Sequence, residues 1–188
     1  MLKKLTMTSI ALAMAVAFTS FPAKAQLGNG TGTTSLSVTV GAEAGLTVAA
    51  TSTLASVGTN FANYTSSTAL TYYVRTSKTS GTGSITAKVT TDFSPAGGPS
   101  VATPPTTGDA LTYTSSGTMP GNNSTGAVMA FAGIAASTSA QTNVATFAAD
   151  NRSLITGNSE SLAWTLTNDP KYQTGAYSAT VTFTISAA

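Results

Sequence analysis

The sequence predicts an all-β chain folded as an antiparallel two-sheet β-sandwich, immunoglobulin-like or jelly-roll, of about seven to nine strands. Three observations carry this reading. Apolar residues alternate with hydroxyl residues in run after run, which gives a sheet with one dry face and one wet face. Charged residues are only 7% of the chain, so the Glu, Lys and Arg that normally clothe exposed helix faces are scarce. Clusters of Gly, Pro, Asn and Ser recur between the alternating runs and supply turns.

Taken in order, the chain opens with Lys3 and Lys4, an apolar stretch over residues 10–18, and Ala23 and Ala25 in small-x-small spacing. A basic start, a short apolar stretch and a small-residue site form a secretory signal, here expected to be cleaved after Ala25. An uncleaved anchor needs about 20 apolar residues, and Thr19, Ser20 and Pro22 interrupt too early. The expected organisation is a signal peptide over residues 1–25, a flexible leader over 26–34 and a single β-sandwich domain over 35–188. The mature protein is then secreted or carried at the cell surface, with no later membrane span.

Export changes the charge. The whole chain has 8 basic and 6 acidic residues, but three lysines belong to the signal. The remainder carries five basic against six acidic residues, a net charge of −1. No nucleic-acid partner is expected from such a balance.

Leu36, Val38 and Val40 make the first alternating run, and residues 46–49 a second, shorter one. Leu70, Tyr72 and Val74 alternate with Thr71, Tyr73 and Arg75; Ile85, Ala87 and Val89 alternate with Thr86 and Lys88. Residues 92–109 and 115–127 read as Pro/Gly-rich excursions around a short strand at 111–114. Further candidates lie at 128–131 and 144–148. Residues 131–139 hold the one stretch where a short helix competes with strand or loop. Leu162, Trp164 and Leu166 form the next run, and the last extends from Tyr177 to Ile185.

The chain lacks His and Cys, which excludes Ser-His and Cys-His catalysis and removes the usual ligands of zinc, haem and iron–sulfur clusters. No cofactor is expected. Asp92, Asp109, Asp150 and Asp169 stand at strand ends or turns, where carboxylates bond nearby backbone N–H groups. Glu43 and Glu160 are expected at solvated positions. Asp150-Asn151 and Asn168-Asp169 offer a few oxygen ligands to calcium without forming its dense loop motif.

Trp164, alternating with two leucines, is expected in the core. Tyr73 falls on the wet face and is a candidate exposed ligand contact, with Tyr64 and Tyr113 as weaker companions for a sugar-binding platform. Tyr177 follows Thr174-Gly175-Ala176 and reads as a tyrosine corner, whose hydroxyl bonds nearby backbone.

The alternating run Ser35-Leu36-Ser37-Val38-Thr39-Val40, then Leu46-Thr47-Val48, and the closing Gly175-Ala176-Tyr177 strand together resemble the spore coat protein U and archaic chaperone–usher pilin group. That group's cysteines are absent here. The resemblance implies a subunit that polymerises by donating an N-terminal strand to a neighbour, with a periplasmic chaperone and other surface subunits as partners. Leu36, Val38 and Val40 are then the donor residues and Gly41 the hinge. The alternative is that residues 36–40 form the ordinary first strand of a self-contained sandwich. The function expected is a non-catalytic pilus, fibre or adhesin subunit; the competing reading is a secreted carbohydrate-binding module.

Overall fold

The computed structural model describes residues 32–102 and 111–188. The expected signal peptide, residues 26–31 of the expected leader and Asp109 lie outside them. The chain divides into two units, Met1–Val38 and Thr39–Ala188.

In the first unit, residues 32–38 have no regular secondary structure, and Leu36 and Val38 are 92% and 86% exposed. In the second unit, Val40 precedes the first strand and is likewise exposed. Residues 36–40 carry no strand assignment, and the first strand of the second unit begins at Glu43.

The second unit is a two-sheet antiparallel β-sandwich of nine strands: β1 (Glu43–Val48), β2 (Ala55–Ser56), β3 (Tyr64–Arg75), β4 (Gly83–Ser94), β5 (Leu111–Gly117), β6 (Phe131–Ala135), β7 (Thr142–Phe147), β8 (Asn158–Leu166) and β9 (Ser178–Ala187). One sheet runs β1-β3-β8-β5-β6, with β2 added beside β3; the other runs β7-β4-β9. Residues 131–135 are strand β6, not helix, paired to β5 through a bulge at Gly133, where φ is 63°.

Period-2 patterning places the core. Leu70, Tyr72 and Val74 of β3, Ile85, Ala87 and Val89 of β4, and Leu162, Trp164 and Leu166 of β8 all point inward and are buried. The larger of these side chains each contribute about 1.5–3 kcal/mol by leaving water. Trp164 sits edge-on to Tyr113 at 5.3 Å, and its Nε1 donates to Thr68 Oγ1 at 2.8 Å, so its one polar atom is satisfied.

The two lateral sides of the sandwich differ. On the β5/β7 side the sheets are tied together by buried polar groups. Ser115 Oγ donates to the Val144 carbonyl at 2.8 Å, and the Tyr113 hydroxyl to the Asn143 carbonyl at 2.7 Å. On the other side β1 and β9 are the facing edges, and among the described residues β9 has only β4 as a paired neighbour. Five strands abreast are covered by three, so the interior is left open along β9.

Candidate functional site: an open groove beside the last strand

The consequence is visible in burial along one sheet. The inward residues of β4, Ile85, Ala87 and Val89, are 0–1% exposed. The inward residues of β9 beside them (Ala179, Val181, Phe183, Ile185 and Ala187) are only half-buried, although the register pairs Ile85 with Ile185 and Val89 with Val181. The difference follows from position: β4 lies between two strands, whereas β9 is the sheet edge and has a paired neighbour on one side only among the described residues. A groove of about 440 Å³ lies there, lined by Val48, Phe93, Trp164, Ala179, Val181 and Phe183 among others. A free strand edge also presents a row of backbone N–H and C=O groups to any added strand.

Tyr177 sits at the entrance of β9 and lines the same groove. Its hydroxyl donates to the Gln173 carbonyl at 2.8 Å, four residues upstream, the bond a tyrosine corner requires. Its ring lies directly on Gly98, where a Cβ would overlap it, and Gln173 N donates to the Gly97 carbonyl at 2.8 Å. The Pro/Gly-rich turn after β4 is thereby stapled to the loop before β9. Asp92 closes the same turn, accepting from Ser100 Oγ and Val101 N.

The other acidic residues are spread apart. Asp169 accepts from Lys171 N, Asp150 from Asn123 Nδ2, and Glu43 forms an ion pair with Arg75. Asn151 is fully buried, its Oδ1 committed to Ala148 N and its Nδ2 to the Thr125 carbonyl.

Two expectations are corrected. Tyr113 is 1% exposed and belongs to the core, because β5 turns it inward between Leu111 and Ser115, so it offers no ligand platform. Glu160 is not solvated: it is 2% exposed, and its carboxylate oxygens make no well-aligned hydrogen bond, with only the backbone groups of Ser161 and Ser116 close by. It occupies the inward row of β8 with Asn158, Leu162, Trp164 and Leu166, packed where Gly117 of β5 leaves room. Burial pushes its pKa up to about 8, with the backbone groups of Ser161 and Ser116 offsetting part of that rise. The nearby Tyr72 hydroxyl is also raised, first by burial and then by the Glu160 charge. Tyr73 faces outward and is 41% exposed.

No protein-family model, curated protein or solved structure matches this chain.

Proposed function

We propose that this protein is an exported, non-catalytic subunit of a surface fibre or adhesive structure, assembled by strand addition at β9. The observation that carries the reading is the half-buried apolar row of β9 beside an unpaired edge and an apolar groove. The occupant is the run Leu36, Val38, Val40 of a second copy of the chain. That run is exposed and unpaired, and its apolar side chains recur every second residue, the spacing a strand needs to present one face to the groove. The weak charge of the chain adds little repulsion between copies. The secretory pattern at residues 1–25 supports export, and the absence of His and Cys supports a non-catalytic role.

The test is a Val38→Asp variant, with removal of residues 35–40 as a second form. The intact chain should form multimers by size exclusion and electron microscopy. Both variants should remain monomeric while keeping the emission of buried Trp164. Multimers of unchanged size from either variant, or none from the intact chain, would overturn the reading.

A further inference from the structure

A second concavity lies on the outer face of the larger sheet and shares no residue with the β9 groove. It has a volume of about 550 Å³ and is bounded by the β1 and β3 ends at Glu43, Gly45, Tyr73 and Arg75, and by the loops that carry Asn122, Arg152 and Ile155. We propose that this cleft is a binding site for a neutral saccharide, independent of the strand-addition reading.

Its aromatic wall is Tyr73, whose ring has glycines on both sides. Its cross-strand partner on β1 is Gly45, where a Cβ would sit 3.6 Å from the ring. On the other side Gly157, at φ +80°, approaches so closely that a Cβ would lie 2.9 Å from Tyr73 Cζ. No side chain from either residue covers the ring, and a sugar can lay its C–H face on it. Facing it, Ile155 is 96% exposed at the tip of its turn and Leu154 is 42% exposed. Both side chains line the cleft and add apolar surface to its wall.

The polar groups suit hydroxyls, which both donate and accept. Arg75 is held by the Glu43 carboxylate and, through Nε, by the Gly41 carbonyl at 2.8 Å. Arg152 is paired with Asp150 at 3.4 Å. Arg75 is thus held at two points, and each guanidinium is offset by a carboxylate, with N–H donors left over. Asn122, on the same wall, is anchored through Nδ2 to the Ser153 carbonyl. A wall with its charges matched in this way selects no anion, and a few fixed polar groups around an aromatic surface are the usual make-up of a small-molecule site.

The test screens the intact chain on an array of immobilised neutral oligosaccharides (glucans, galactans, mannans) and sialylated ones, then titrates the best binder by calorimetry. Neutral glycans should bind. Tyr73→Ala and Arg75→Gln should each weaken binding by about tenfold or more, while Tyr73→Phe keeps it. Urea unfolding of the same variants separates lost binding from lost folding, and all three should share the assembly state of the intact chain, whatever that is. No neutral glycan bound at millimolar concentration, binding confined to sialylated glycans, or affinity unchanged in Tyr73→Ala would each overturn the proposal.

Discussion

Replacing Glu160 with Gln removes an ionisable group from the interior without changing its size, and the effect should depend on pH in a defined direction. The folded chain holds this carboxyl protonated up to about pH 8, whereas its ordinary value is 4.5. Between those values the folded state binds more protons than the unfolded one, so the contribution of Glu160 to stability falls as pH rises. Below the lower value its ionisation adds no cost, and above the upper value the pH-dependent loss is complete. The facing titratable group is Tyr72, whose pKa is raised, so it stays neutral across this window. Each pH step between the two values shifts the folding equilibrium by up to about tenfold, so from pH 5 to pH 8 the wild-type chain should lose about 3 kcal/mol relative to the variant. Exposed carboxylates are common to both chains and cancel in the difference. Urea unfolding followed by the fluorescence of the single Trp, Trp164, measures it. Glu160→Met serves as a second variant should the Gln amide lack a partner. Parallel pH profiles for wild type and both variants would refute the claim that this carboxyl is enclosed and neutral.

Two structural predictions accompany it. Tyr177→Phe should lower stability by about 1 kcal/mol through loss of the bond to Gln173, measured by urea midpoint; no change would mean the corner bond is replaced by water at no cost. Gly117→Ala should destabilise by about 1–3 kcal/mol, because the added methyl overlaps the Glu160 carboxylate and crowds the Ser159 carbonyl. Pairing it with Glu160→Ala should recover part of that loss, and strict additivity in a double-mutant cycle would contradict the contact.

The sandwich was legible because alternation is written openly in β3, β4, β8 and β9, where threonines separate branched and aromatic residues. Trp164 was placed by its leucine neighbours two positions away. The same period, carried two residues further back from Leu162, puts Glu160 on the buried row. That signal was present, but a charged residue among serines suggested solvent, and only the pairing with Gly117 reveals the space that admits it. Tyr113 alternates with Leu111 across Thr112, which marks one face, but Ser115 and Gly117 continue that face with no apolar side chain to show that it is the buried one. The open edge of β9 was beyond reach for another reason. Its alternation is that of any half-buried strand, and which neighbour a strand lacks depends on sheet order, a long-range property that local pattern does not carry. The alternation of residues 36–40 was equally ambiguous, since a strand that pairs at home and one that pairs elsewhere need the same side chains.

The absence of cysteine makes one measurement decisive for strand addition, because introduced thiols are the only ones present. A Val38→Cys chain mixed with a Val181→Cys chain, and in parallel with a Phe183→Cys chain, is oxidised and run on a non-reducing gel. A donor strand beside β9 brings inward-facing side chains of neighbouring strands within disulfide reach. The account predicts a mixed disulfide between the two variants in at least one pairing, and none when the Val38→Cys chain also lacks residues 35–37. Mixed disulfides absent from both pairings, or equally abundant with an outward-facing Thr182→Cys partner, would contradict it.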